Sequence, residues 1–568
     1  MRTRSGRRGG RETANVKRQT ADVKSKTITH RFILLADLHL SDRTDTAAYH
    51  ALQWAVDRVN RDRPDFLAVG GDVTTFGAAG ATARFLGAIH RVEVPVLFTP
   101  GNAELRRPEA LSLLKDLLTP ERRHALRGDL LVLLPDTSAG ALPAGERAWL
   151  DRVVSEHSAV ERRVVITHYP VDKLDRESRA WMGQWLSRHR VELLAAGHIH
   201  SHRTRRVDGC PEVVCRGLDP DKASGDLPGL SLFESERPGA WSERFIPWSP
   251  AIRLLPADLP DGISPVGWSI HGDPVKAAGE TLAFGLSCLE LRPRDLDFSR
   301  KALLEALRRL RDRGPLYLSY HLPNLAWAPG EGRIVGEDAL RENLACALEL
   351  GVDHLTVHVP HAPAWEMERR GDGGFRPTAL YGAFEEACGR LFRGPVSAGV
   401  RVAVENIHNP SDTPMDSPRR EFATRIDEYL RWIDAVARRL GPNAAVGAHL
   451  DVGHARNNGG DLDNLQPLGD WYARLGRRIL GYHIHQVDMD PETRRLSNHR
   501  EIPALFSPRI SYAGFLWAWA THQITRGPLF VEVREDEARR RTAGLFKRLF
   551  EHAHRIREAA ELPDRPEG

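Results

Sequence analysis

Short apolar runs recur along the first half of the chain, and each is followed by polar residues of types that bind metal ions. The runs are residues 31–36, 64–69, 94–98, 163–166 and 191–195. Segments long enough for helices, such as 47–60 and 78–90, lie between them. Short apolar runs that alternate with helix-length segments are typical of buried parallel strands. The pattern therefore predicts an α/β fold.

The polar residues after these runs form a coherent set of metal ligands. In chain order they are Asp37, His39, Asp72, Asn102, His168, His198 and His200. Such folds place their sites at the carboxyl-terminal edge of the sheet. Two cations about 3.5–4 Å apart need a bridging carboxylate and further oxygen and nitrogen ligands on each ion. We predict that Asp72 is the bridge, that Asp37, His39 and His200 complete one metal, and that Asn102, His168 and His198 complete the other.

His198 and His200 leave the end of one predicted strand two residues apart. We expect side chains two apart at this strand end to point to opposite sides, so that one ion cannot easily take both, whereas two adjacent metals could each take one. The spacing therefore favours a pair of metals over a single one.

The segment 31–248 resembles the calcineurin-like metallophosphoesterases. Their blocks D-x-H, G-D, G-N-H-[DE], H and G-H-x-H stand here as Asp37-Leu38-His39, Gly71-Asp72, Gly101-Asn102-Ala103-Glu104, His168 and Gly197-His198-Ile199-His200. The resemblance implies a four-layer sandwich over residues 30–248, closed by strands near 211–216, 230–234 and 243–247. It also implies two divalent metals (Mn, Fe or Zn) and phosphoester hydrolysis, with Asp72, Asn102 and His168 in the catalytic machinery.

One position departs from the family pattern. The usual histidine of the third block, which is thought to assist the leaving group, is Ala103 here. General acid catalysis is worth about 10²–10⁴-fold. We therefore expect hydrolysis to favour substrates with good leaving groups.

The second half of the chain repeats the pattern of apolar segments that end in polar residues. A first strand is predicted at 263–270, and later segments end at Glu290, His321, His358, Glu405, Asp451 with His454, His485 and Glu532. Eight such units in about 300 residues predict a (β/α)₈ barrel over 262–560. We interpret Glu290 as a helix-start or solvated residue, and His361, His408 and His483 as similarly ordinary.

These residues resemble the xylose isomerase-like barrels, which include sugar isomerases, sugar epimerases and endonuclease IV. Glu405, Asp451, His485 and Glu532 match the single-metal set of the epimerases, with His454 as a metal or substrate group. His321, His358 and His499 fall where endonuclease IV places extra zinc ligands, but Ser497 stands where that enzyme has Asp. The resemblance implies a site for one or two divalent metals (Zn or Mn), with Glu405 and Glu532 catalytic. It leaves open whether the barrel isomerises a sugar or cleaves a phosphodiester.

Composition and charge indicate what lies outside the two predicted domains and in which compartment the protein works. The formal charge of the 568 residues is +4, but residues 1–29 carry nine Lys or Arg against two acids, so the rest of the chain carries −3. We predict that 1–29 is a disordered basic tail and 249–261 a linker. The five cysteines form no CxxC pair, and no apolar run reaches the roughly 18 residues that span a membrane. These features indicate a cytoplasmic protein with reduced thiols.

Together these expectations favour a bifunctional metalloenzyme that acts on a phosphorylated small molecule, first as a phosphoesterase and then as a sugar isomerase or epimerase. A nucleic-acid phosphodiesterase with an endonuclease-like barrel is possible but less favoured, because DNA-binding surfaces are usually strongly basic. A binding protein built from two inactive enzymes is a third hypothesis, suggested by Ala103 and Ser497 alone.

Overall fold

The computed structural model describes residues 30–562, apart from 120–121, 249, 251–252, 372–373, 410–412, 415–416, 457–465, 491 and 493–495. The predicted basic tail, 1–29, lies outside the described residues. Within the described part of the chain, no helix is both long and apolar enough to cross a membrane. All five cysteines are buried and free.

Two sheets form the first half of the structure. The first has the order β11-β10-β1-β2-β3 and contains β1 His30–Leu35, β2 Phe66–Val69, β3 Val96–Phe98, β10 Gly229–Arg237 and β11 Ala240–Pro247. The second has the order β4-β5-β6-β7-β9-β8 and contains β4 His124–Arg127, β5 Leu130–Leu133, β6 Arg162–Thr167, β7 Leu193–Ala196, β8 Arg203–Val207 and β9 Cys210–Val214. The sequence pattern suggested ligands along the edge of one sheet, whereas the structure distributes the strands that carry them over two.

The two sheets pack face to face with helices on their outer sides. Phe32 and Leu34 of β1 point between the sheets and pack with Val132 and Ile166 of the second sheet. The alternate residues of β1 belong to the core beneath the outer helices. Because both faces of β1 are buried, the strand is apolar from Phe32 to Leu35, as strands covered on both sides are. The resulting helix–sheet–sheet–helix arrangement confirms the predicted four-layer sandwich.

Eight parallel strands close into a barrel in the second half of the chain. In order around the barrel they are β12 Val266–Gly272, β13 Cys288–Pro293, β14 Tyr317–His321, β17 His354–His358, β20 Arg401–Glu405, β21 Val446–Asp451, β22 Ile479–Ile484 and β25 Leu529–Val531. Three hairpins lie outside the barrel: β15 Ala326–Ala328 with β16 Arg333–Val335, β18 Glu368–Gly371 with β19 Gly374–Pro377, and β23 Gln486–Met489 with β24 Leu496–Arg500. The predicted (β/α)₈ barrel is confirmed, and its first strand begins three residues later than the apolar pattern indicated.

Helices cover both halves of the molecule. The first half carries α1 Ala47–Asp62, α2 Ala79–Ile89, α3 Pro108–Leu114, α4 Ala144–Glu156 and α5 Arg176–Arg188. The second half carries α6 Pro274–Phe284, α7 Arg300–Arg313, α8 Glu337–Leu350, α9 Ala364–Met367, α10 Ala379–Ser397, α11 Ile426–Leu440, α12 Val452–Arg456, α13 Leu468–Leu475, α14 Ala513–Ala520 and α15 Asp536–His552. The helices α1 and α2 cover the predicted segments 47–60 and 78–90 to within two residues.

The two halves pack directly against each other. Helix α1 meets α14 of the barrel, where the rings of His50 and Trp517 lie 4.8 Å apart. One hydrophobic core includes buried side chains from both halves, among them Leu52 and Phe515. The described part of the predicted linker lies on the barrel, where the Leu254 backbone N–H donates to the His554 carbonyl at 2.9 Å. The domain boundaries themselves stay predictions.

Candidate metal centres

Six predicted ligands of the first half lie in two groups of three. Site A consists of Asp37, His39 and His200, and site B of Asp72, His168 and His198; in each, one ligand atom per residue lies within 4.8 Å of the others. Asn102 joins site B, with its Oδ1 3.1 Å from His168 Nε2. The structure therefore brings together all seven ligands predicted for this half.

Asp72 lies between the two sites. Its Oδ2 is 3.7 Å from His39 Nε2 of site A, and its Oδ1 is 3.5 Å from His168 Nε2 of site B. A carboxylate with one oxygen toward each group is the arrangement that a pair of bridged cations requires.

The ligand-bearing loops adopt an unusual backbone conformation. Five ligands have positive φ: Asp37 (52°), His39 (46°), Asp72 (52°), His198 (77°) and His200 (55°). Positive φ is uncommon for residues other than glycine and is concentrated at functional sites. His198 and His200 do join different sites, but the reason that we inferred is wrong, because side chains two apart on an extended strand point to the same side. In the structure β7 has already ended at Ala196, and both histidines have positive φ.

Buried hydrogen bonds hold these loops in place. The carboxylate of Glu104 accepts from the backbone N–H groups of Gly101 at 2.8 Å, Asp72 at 2.9 Å and Val73 at 3.0 Å. Burial, together with the neighbouring Asp72 charge, raises the pKa of Glu104 to about 8. At Gly197, a Cβ would lie 2.6 Å from the Ala36 Cβ, so a side chain would force the two ligand loops apart.

The electrostatics of sites A and B suit cation binding. Burial, reinforced by Asp72, raises the pKa of Asp37 well above its ordinary value. Burial lowers the pKa values of His39 and His200, and it lowers that of His198 to about 3. Neutral imidazoles are the form that ligates metals. Asp37 Oδ1 and His39 Nδ1 are buried without a hydrogen-bond partner. These donors fit two divalent cations.

Ala103 occupies the place of the usual family histidine. It is fully buried, and its backbone N–H donates to Asp72 Oδ1 at 2.8 Å. The residue thus helps to orient the bridging carboxylate but offers no proton to a leaving group.

The predicted barrel ligands also gather at one end of the strands. Site C consists of His321, His358 and Glu405, and site D of Asp451, His454, His485 and His499. Glu405 Oε2 lies 2.9 Å from the Nε2 atoms of both His321 and His358. His358 Nε2 is nevertheless buried without a hydrogen-bond partner, so its geometry suits a metal ligand better than a hydrogen bond.

Site D is joined to site C through carboxylates. Asp451 Oδ1 is 3.0 Å from His485 Nε2, and Asp451 Oδ2 is 3.3 Å from His454 Nδ1. His454 Nδ1 is in turn 3.5 Å from Glu405 Oε1. Glu532, which follows β25, lies beside site D with its Oε1 3.5 Å from His499 Nε2. All eight predicted barrel ligands therefore lie in one connected region.

Glu290 and His483 also belong to this region, and together with His449 they form a further group of possible ligands. The interpretation of Glu290 and His483 as ordinary residues is wrong, because both are fully buried inside the barrel. His483 Nε2 meets Glu290 Oε1 at 2.5 Å, and His483 Nδ1 meets Glu405 Oε1 at 3.1 Å. Glu290 also accepts from Ser319 and Thr356 at 2.9 and 2.6 Å.

The charges of this inner pair support each other. Burial alone would lower the pKa of His483, but Glu405 and Glu290 hold it well above its ordinary value. Burial alone would raise the pKa of Glu290, but His483 holds it well below. Second-layer partners of this kind orient the residues that ligate a metal. A signal was present in the sequence, since His483 precedes the predicted ligand His485 by two residues, the spacing that places side chains on one face of a strand.

Ser497 is not part of either barrel site. It lies in the hairpin of β23 and β24, where its hydroxyl donates to the Asp488 carbonyl at 3.4 Å and accepts from Arg500 Nε at 3.0 Å. The departure from the endonuclease IV pattern thus removes one carboxylate from the neighbourhood of His499.

Comparison with family models agrees with both halves of this description. The calcineurin-like phosphoesterase family matches residues 30–202, and the xylose isomerase-like TIM barrel family matches residues 279–560. The chain is a calcineurin-like phosphoesterase fused to a xylose isomerase-like barrel. No curated protein matches it significantly.

Several solved structures resemble one half of this fusion protein each. Endonuclease IV from Thermus thermophilus is 20% identical, with 50% of this chain and 99% of that one covered and a TM-score of 0.32. A xylose isomerase-like TIM barrel protein from Mycobacterium smegmatis in complex with magnesium is 16% identical, over 50% and 89% of the two chains, with a TM-score of 0.33. Purple acid phosphatase PPD1 from yellow lupin (Lupinus luteus) seeds is 10% identical over 38% of this chain and about half, 52%, of its own, with a TM-score of 0.32.

Proposed function

We propose that the first half of the fusion protein is a binuclear phosphoesterase that acts on a phosphorylated small molecule. The observation that carries this proposal is the position of Asp72, with one oxygen toward site A and the other toward site B. Sites A and B would hold the two divalent cations (Mn, Fe or Zn). When bound, such a pair stabilises the charge of a transferring phosphoryl group and activates water for attack.

The protein side chains of site B position the substrate in this proposal. His168 Nδ1 lies 2.7 Å from the Gly70 carbonyl and donates to it, which leaves Nε2 with its lone pair toward Asp72 and Asn102. Asn102 is partly exposed, so its amide nitrogen can donate to a phosphoryl oxygen. With Ala103 beside them, the leaving alcohol must depart without a proton from this position.

We infer that the barrel is a second metal-dependent active site, holding one or two divalent ions (Zn or Mn) and acting as a sugar isomerase or epimerase. Glu405 is wholly enclosed by imidazoles and would serve as a metal ligand. Glu532 is 9% exposed, its Oε2 lies 3.0 Å from His483 Nδ1 and its Oε1 pairs with Arg292. We propose that it acts on the substrate as the ionised carboxylate that these two groups hold in place. The cytoplasmic location predicted from the sequence is part of this proposal.

A hydrolysis screen tests the proposed function most directly. The full chain, stripped of metal and reloaded with Mn²⁺, should hydrolyse phosphomonoesters or cyclic nucleotides, and Asp72→Asn should not. Because the variant changes one carboxylate oxygen, its metal content should be measured alongside its activity. Equal hydrolysis by both proteins would contradict the binuclear assignment.

One observation favours nucleic-acid processing as the second candidate. His321 and His358 form site C with Glu405, so the barrel has more donors than a single-metal epimerase requires. The charge of −3 on residues 30–568 argues against a duplex-binding surface. Cleavage of an abasic-site duplex, with binding that falls steeply as salt rises, would favour the nuclease.

A further inference from the structure

The loops that carry the two metal regions face each other across the domain interface. Ser41, two residues after His39, donates its hydroxyl to Asp470 Oδ1 of the barrel at 2.6 Å. Asp221 of the phosphoesterase half accepts from the backbone N–H of Gly469 and of Ser511, each at 3.0 Å. The barrel side of these contacts lies beyond the carboxyl-terminal ends of its strands, where TIM barrels carry their active sites.

A groove of about 340 Å³ lies between these loops and is called the interdomain groove. Ser41, Phe76 and Arg107 line its phosphoesterase wall, and Arg425, Asp427 and Gln466 line its barrel wall. The volume is at the lower end of the range for small-molecule sites, about 300–1,000 Å³.

Both walls continue directly from metal-ligand loops. On the phosphoesterase side, Phe76 is four residues after Asp72, and Thr75 donates its hydroxyl to the His39 carbonyl at 2.7 Å. On the barrel side, Arg425 ends the connection that leaves Glu405, whereas Gln466 follows the segment that leaves His454. A group attached to a phosphate at sites A and B would therefore have the barrel as its other wall.

The chemistry of the groove distinguishes between possible occupants. Its charged lining consists of two arginines, Arg107 and Arg425, and three carboxylates, Asp42, Asp427 and Asp470. A lining with more acids than bases disfavours a polyanion such as a nucleic-acid strand. Carboxylates and the Gln466 amide accept hydrogen bonds from hydroxyl groups, and the Phe76 ring offers an apolar surface. The lining suits a neutral polyhydroxylated group.

We propose that the interdomain groove binds the alcohol part of the phosphoesterase substrate, a polyhydroxylated group such as a sugar, so that the barrel determines the specificity of the phosphoesterase. The inference rests on the phosphoesterase function proposed above and names the substrate class for it. The phosphate lies at sites A and B, and the sugar lies between Phe76 and Arg425.

Kinetics of the Mn²⁺-loaded full chain test this proposal. With the best substrate from a panel of pentose and hexose phosphates, Arg425→Gln should raise KM at least tenfold and change kcat less than threefold. The inhibition constant of inorganic phosphate, which lacks the sugar, should change less than twofold. Arg341→Gln, on the exposed surface of α8, is the matched control and should alter none of these values.

The outcomes distinguish a failure of the groove assignment from a failure of the proposed function. An unchanged KM in Arg425→Gln, or an equal loss for inorganic phosphate and sugar phosphates, would overturn the groove assignment. If the parent protein hydrolyses no phosphoester, the phosphoesterase proposal fails, and calorimetry of the same sugar phosphates still tests the groove. Binding tenfold weaker in Arg425→Gln than in the parent would support it, and equal binding would overturn it.

Discussion

The phosphoesterase and barrel sites use the same residue types but balance their charges in different ways. In sites A and B, burial lowers the pKa values of His39, His198 and His200 and raises that of Asp37. In the barrel, carboxylates meet imidazoles at hydrogen-bond distance, and His483 has a raised pKa between Glu290 and Glu405. In the barrel region, protonated imidazoles therefore balance part of the carboxylate charge. In sites A and B, bound cations would balance it.

Backbone geometry sharpens the difference. Five ligands of sites A and B have left-handed backbone conformations, whereas only His499 among the barrel ligands does. Ligands at strand ends are held by a regular hydrogen-bonded sheet, and ligands on strained loops depend on local contacts such as those of Glu104. We expect sites A and B to depend more strongly on metal for their order.

The largest expected effect comes from Asp72, which lies between sites A and B. Replacing it by Asn removes the charge that both cations share, and we expect hydrolysis to fall by about three orders of magnitude or more. Turnover of bis-p-nitrophenyl phosphate with Mn²⁺ measures the change. Asp57→Asn, on the exposed face of α1, is the control, and near-normal turnover in Asp72→Asn would contradict the two-metal assignment.

The double substitution Glu405→Gln with Glu532→Gln tests whether the two regions are independent. We expect the barrel to lose its metal and any isomerase activity, because two of its anionic ligands become neutral. The phosphoesterase should keep its activity, since it uses a separate ligand set. Metal content and both assays on the full chain provide the measurement, and unchanged metal content would refute the barrel site.

Ala103 predicts a strong dependence on the leaving group. Without a proton donor at that position, activated aryl esters should be hydrolysed about 10²-fold or more faster than alkyl esters. A series of phosphoesters of graded leaving-group pKa measures the slope. A flat series would show that another group supplies the proton or that the chemical step does not limit the rate.

The smallest expected effect concerns the inner pair of the barrel. Glu290→Gln removes the anion that holds His483 against Glu405, and loss of such a partner costs about 10–100-fold in metal affinity. Titration with Co²⁺, followed by its absorption spectrum, should show weaker binding. Glu305→Gln, on the exposed side of α7, should leave the affinity unchanged, and equal affinity in both variants would assign Glu290 a role in packing alone.

The sequence predicted most of the ligand positions because each lies at or just after the end of a strand. It interpreted Glu290 and His483 as ordinary residues, because an apolar pattern gives no sign that the barrel interior contains a polar layer. It misjudged how His198 and His200 diverge, since a positive φ in a non-glycine residue leaves no mark on composition. The interdomain groove could not be predicted from the sequence either, because the residues of its two walls are distant from each other in the chain.

The contact between α1 and α14 has a consequence for how the molecule unfolds. Trp517 is only 6% exposed and faces His50, and one apolar core includes side chains from both halves. Separating the halves at residues 249–261 would expose this surface to water, at a cost of about 25 cal/mol for each Å² of apolar area. The fusion should therefore melt in a single calorimetric transition, and fragments cut there should aggregate.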